Sequence, residues 1–129
     1  MRTHYLEKLT LPDKTKALCM FSNFDFYHLG QITELKVNNP NEGANVEIVL
    51  SAVYSDPVDK RCALVTLRFG GISKAYLPMF SPLCFLDELE IEDLRGEQHE
   101  GIGYRSKCYG TTQFDVWCRD LSIDRCESL

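Results

Sequence analysis

Two stretches of alternation set the fold class. Val46, Ile48, Leu50, Ala52 and Tyr54 recur at every second position, with Glu47 and Ser51 between them. That is the period of a strand with one buried face. Ser55-Asp56-Pro57-Val58-Asp59 then supplies turn chemistry. Beyond it Ala63, Val65, Leu67 and Phe69 alternate with Leu64, Thr66 and Arg68. Strands that follow one another across a turn pair as antiparallel hairpins.

The same reading extends in both directions. Ile32-Thr33-Glu34-Leu35-Lys36-Val37 alternates and meets a turn cluster running from Asn38 to Gly43. Gly70-Gly71 permits a bend or bulge before Ile72–Leu77 resumes an extended pattern, and Pro78 and Pro82 mark a connection. Leu86–Leu94 fits a strand better than a helix, with Leu89 and Ile91 inward and Glu88, Glu90 and Glu92 in an outward row. A polar loop through Gly96 and Gly103 leads to Phe114, Val116 and Cys118 on one face, with Leu121 and Ile123 continuing the alternation. The segment after Pro12 (Asp13–Phe21) is compatible with a short helix, because proline suits a first turn, or with a strand. The expected fold is mainly β, with α+β the alternative: an antiparallel sandwich or open barrel of about six to eight strands and at most one or two short helices.

The 129 residues suit one domain, 1–129. With 44% hydrophobic and 26% charged residues the chain has enough apolar content to build a core. No apolar run reaches the ~20 residues of a membrane helix, so no membrane association is expected. Arg2, Glu7 and Lys8 stand where a signal peptide would be apolar. The expected compartment is the cytoplasm. Six cysteines (19, 62, 84, 108, 118 and 126) lack C-x-x-C spacing and histidines at ligand distance in sequence. They read as small buried hydrophobes, and neither disulfides nor zinc are expected.

The net charge of −5 is not evenly spread. Asp87, Glu88, Glu90, Glu92, Asp93, Glu97 and Glu100 share one window with a single base, Arg95, for a local sum of −6; the remainder sums to +1. A field of one sign favours a basic partner and opposes nucleic acid. These seven acids are the candidate partner-binding residues. The plain alternative is a solvated strand face that also resists aggregation.

Familiar catalytic patterns are missing. His4, His28 and His99 are scattered, and the chain has neither G-x-S-x-G nor H-E-x-x-H. No catalytic, cofactor-binding or metal-binding residue is assigned, and no cofactor is expected. His28, in Phe26-Tyr27-His28-Leu29-Gly30, reads either as an acid-base or contact residue or as a half-buried ring bonded to backbone. Trp117 reads either as an interface anchor or as core.

Three segments together resemble a family of bacterial polymorphic-toxin immunity proteins, the family numbered fifty. They are Val65-Thr66-Leu67-Arg68-Phe69-Gly70-Gly71-Ile72-Ser73, Leu89-Glu90-Ile91-Glu92-Asp93-Leu94, and the run from Tyr109-Gly110 through Trp117-Cys118-Arg119 to Ile123. Tyr27-His28-Leu29 is similar to an early His-Asp-Ala segment, but Leu29 stands in the aspartate's place, so the likeness supplies no charge partner for His28. The resemblance implies a cytosolic antitoxin without catalytic residues. The expected function is therefore an immunity protein that binds a cognate toxin, a basic nuclease above all, and covers its active site with acidic groups. The alternatives are a small enzyme using His28, Tyr109 or a cysteine, and an oligomeric adaptor.

Overall fold

The computed structural model describes residues 1–39, 46–79, 84–97 and 101–129. Seven strands form one open antiparallel sheet: β1 (Arg2–Thr3), β2 (Leu29–Asn38), β3 (Glu47–Ser55), β4 (Cys62–Tyr76), β5 (Leu89–Asp93), β6 (Tyr104–Cys108) and β7 (Asp115–Ser128). Their order across the sheet is β1-β5-β6-β7-β4-β3-β2. Two three-stranded meanders, β2-β3-β4 and β5-β6-β7, thus join where β4 lies against β7. Between the sandwich and open-barrel alternatives, the chain forms a single curled sheet. Its far ends approach where Ile32 N donates to Cys84 O and Leu86 N donates to Gly30 O.

The alternation of β3 and β4 has the expected result. Ile48, Leu50, Ala52 and Tyr54 are buried opposite Phe69, Leu67, Val65 and Ala63. Each such leucine taken fully from water contributes roughly 1.5–3 kcal/mol. Leu89 and Ile91 of β5 and Val116, Cys118, Leu121 and Ile123 of β7 join the same core.

The stretch before β2 becomes the lining of the curl. Residues after Pro12 take the helical alternative: α1 spans only Thr15–Leu18. Single 3-10 turns cover Leu6–Lys8 and Phe26–His28. Leu6, Leu9, Ala17, Phe21, Phe24 and Phe26 all pack into the core. Phe24 stacks on Tyr54 at 4.3 Å.

Three details depart from the sequence reading. The segments on either side of Gly70-Gly71 form one fifteen-residue strand, not two. Gly71 has φ +63°, and a Cβ there would sit 3.0 Å from Arg119 Cβ, so the bend uses a residue without one. β6 occupies part of the expected polar loop. Glu88 precedes β5 with φ +51°, which takes it out of the strand row that Glu90 and Glu92 keep. The turn cluster at positions 40–43, together with Pro82, His99 and Glu100, lies outside the described residues.

Candidate partner-binding face

Directly opposed residues of paired strands project from the same face. The core side carries Val116, Ser106 and Ile91 across β7, β6 and β5. On the other side the register builds two cross-strand rows. One runs Lys74, Trp117, Arg105, Glu92, Arg2, and the other runs Tyr76, Asp115, Lys107, Glu90. All nine side chains are exposed or half-buried.

The glutamates of β5 therefore do not form an isolated negative strip. Glu90 lies opposite Lys107, and Glu92 lies between Arg105 and Arg2. Glu90 also binds Arg2 Nε at 2.9 Å and accepts the Tyr27 hydroxyl. That hydrogen bond, with burial and the carboxylate charge behind it, pushes the Tyr27 phenol up to about 12.

Other acids of the window serve the fold. Asp87 accepts from Thr111 N at 2.6 Å, Thr111 Oγ1 at 2.9 Å and Thr112 N at 3.0 Å, clamping the turn before β7. Burial alone would raise its pKa, but these donors together hold it below the ordinary value. A Cβ on Gly110 would collide with the same carboxylate, which explains the glycine. Asp93 binds Arg95 through both oxygens, at 3.0 and 2.8 Å. The Arg95 side-chain hydrogen bond, opposed by burial, lowers the Asp93 pKa. Glu88 and Glu97 are exposed, and Glu92 is half-buried. The structure thus separates the seven candidate acids into a structural group (Asp87, Glu90, Asp93) and a presented group (Glu88, Glu92, Glu97), with Glu100 outside the described residues.

Aromatic rings organise the cations on this face. Arg105 lies 4.3 Å and Lys74 5.1 Å from the Trp117 ring centroid. Arg2 and Lys107 lie 4.5 and 5.1 Å from the Tyr109 ring, and Arg2 Nη1 also donates to the Tyr109 hydroxyl at 3.0 Å. Arg105 is further held by Asp115 through two bonds of 3.0 and 2.9 Å. The sequence reading identified Trp117 but missed Arg2, Lys74, Arg105 and Lys107. For Arg105 and Lys107 the signal was the alternation of Tyr104–Cys108, hidden because its central inward residue is Ser106.

A second cluster sits beside the 3-10 turn Phe26–His28. His4 Nδ1 lies 2.6 Å from Asp25 Oδ1, the imidazole donating to the carboxylate, and the His4 ring stacks on Tyr27 at 3.8 Å. His28 Nε2 is 3.6 Å from Asp25 Oδ2. His28 thus faces a carboxylate three residues upstream instead of a backbone group. The adjoining groove of about 380 Å³ is lined by Tyr5, Phe21, Asp25, His28, Tyr54 and Arg61, among others. Among the described residues, no three or more His, Cys, Asp or Glu side chains converge as a metal site. None of the described helices is long and apolar enough to cross a membrane.

Comparison with protein-family models, curated proteins and solved structures found no match to this chain.

Proposed function

We propose that the chain is an immunity-type binding protein, which neutralises a basic toxin domain by stoichiometric contact through the uncovered face of β5, β6 and β7. The observation that carries this reading is that the same face presents Glu92, with exposed Glu88 just ahead of β5, together with the half-exposed rings of Trp117 and Tyr109. Aromatic residues and arginine dominate contact energies, while surrounding charges set encounter rate and partner choice. A nuclease domain is the target class, since its phosphate-holding lysines and arginines complement the presented carboxylates.

The test is co-expression with the product of the adjacent gene, followed by pull-down and a nuclease assay. A one-to-one complex without nuclease activity supports the proposal. Capture should weaken in the Glu88→Lys, Glu92→Lys double variant. Unchanged capture at every salt concentration would remove the acidic contact, and absence of any complex would remove the immunity reading.

The His4–Asp25–His28 cluster at its groove favours a second reading, a small acid-base enzyme. Turnover of an ester or phosphodiester that disappears in both Asp25→Asn and His28→Gln, with folding retained, would favour this reading over the first.

A further inference from the structure

The outer face is electrostatically two-sided. Toward β5 it presents Glu90 and Glu92, with Arg2 of β1 bound to Glu90 and opposite Glu92. Toward β4 and β7 it presents Lys74, Arg105 and Lys107 against one carboxylate, Asp115, which Arg105 engages through both oxygens. The ammonium groups of Lys74 and Lys107 have no ion-pair carboxylate among the described residues. They rest over aromatic rings instead, Lys74 over Trp117 and Tyr76 and Lys107 over Tyr109. A cation held over a ring keeps its position and can still donate hydrogen bonds to an arriving anion.

We propose that this half of the face, centred on Trp117 and bounded by Lys74 and Lys107, binds a carboxylate-bearing segment of a protein partner. The argument is charge complementarity combined with layout. Neighbouring strands lie about 4.8 Å apart and residues two positions apart along a strand about 7 Å, so Lys74 on β4 and Lys107 on β6 flank β7, two strand spacings across and one row along from each other. Carboxylates spaced along one extended segment can meet both while an apolar or aromatic group covers Trp117. Polyphosphate fits less well. The cations do not continue into a track, because Glu90 and Glu92 stop them on β5 and Asp115 interrupts them on β7. The inference rests on the reading of this face as a contact surface. It adds that the partner contributes acids opposite β4, β7 and β6 as well as bases opposite β5.

Trp117 is the chain's single tryptophan, so its fluorescence reports on this half of the face alone. The test titrates the full chain with a blocked hexaglutamate peptide, an oligolysine peptide and an oligothymidylate. Hexaglutamate should change the emission saturably, more weakly at about 0.3 M salt than in dilute buffer. The Lys74→Glu, Lys107→Glu double variant should lose at least about tenfold in affinity, whereas Lys74→Arg, Lys107→Arg should retain it. If the charge-reversed protein fails to fold by circular dichroism, the Lys74→Gln, Lys107→Gln pair replaces it with the same expectation. No saturable response, undiminished binding in the charge-altered protein, or tighter binding of oligothymidylate than of hexaglutamate would each overturn the inference. Failed peptide binding with partner capture intact removes this inference alone. Lost capture with peptide binding intact removes the immunity reading alone.

Discussion

The Tyr27 hydroxyl donates to Glu90 Oε2, joining the turn before β2 to the start of β5 across 63 residues of sequence. Arg2 Nε reaches the other oxygen of the same carboxylate. One glutamate therefore fastens the N-terminal strand, the 3-10 turn and an interior strand of the sheet. In Glu90→Gln, Tyr27 should titrate well below about 12, back toward the ordinary 10.0. The difference in tyrosinate absorbance against Tyr27→Phe measures this. The stability linkage has a fixed sign: a phenol whose folded pKa is raised contributes fully below about pH 10 and loses that contribution as pH rises through about 12. Identical alkaline unfolding profiles for the wild-type and Glu90→Gln proteins would contradict it.

Asp87 makes a prediction at the opposite end of the pH scale. Its three hydrogen bonds to Thr111 and Thr112 stabilise the charged form. Replacing it with alanine strands two backbone N–H groups and should cost about 2 kcal/mol in urea unfolding. Because its folded pKa lies below the ordinary 3.8, its contribution is present above that value and fades as pH falls through the folded one. Asp87→Asn should accordingly flatten the acid limb of stability against pH. An acid limb unchanged from wild type would show that other carboxylates carry it.

The parts of this molecule legible in sequence are those where one face of a strand is apolar throughout. β3, the first half of β4 and β7 declare themselves because their inward residues are all hydrophobic. β6 does not, since Ser106 interrupts Tyr104 and Cys108. Nor does β1, whose two residues pair with Glu92 and Ile91 only through long-range register. The acidic window was visible as composition, yet its electrostatic meaning depends on which strands flank it. Lys107 and Arg105 come to Glu90 and Glu92 through β5–β6 pairing. The link from His4 to Asp25 likewise depends on the chain folding back over 21 residues.

Ser106 supplies the third prediction. Its side chain is fully buried between Val116 and Ile91, and its hydroxyl has no hydrogen-bond partner among the described residues. An unsatisfied buried hydroxyl costs about 1–3 kcal/mol, and removing it leaves only a small void. Ser106→Ala should therefore raise stability by about 1 kcal/mol, read as a higher urea midpoint at unchanged slope. A fall in midpoint would indicate that the hydroxyl is hydrogen-bonded in solution.

The six free thiols divide by burial, which makes their reactivity a test of the curled core. Cys19 is exposed, Cys62 and Cys126 are half-buried, and Cys84, Cys108 and Cys118 are buried. Burial pushes Cys108 and Cys118 up to about 12 and raises Cys126 as well. Since the thiolate is the reacting species, a disulfide reagent near pH 8 should modify Cys19 fastest and Cys62 next. Cys84, Cys108 and Cys118 should react only on unfolding, at a rate that falls when the fold is stabilised. Cys19→Ser should delete the fast phase and leave the slow one unaltered. Rapid labelling of Cys118 in the native protein, located by peptide mapping, would be incompatible with the inward face of β7 being buried in the core as described.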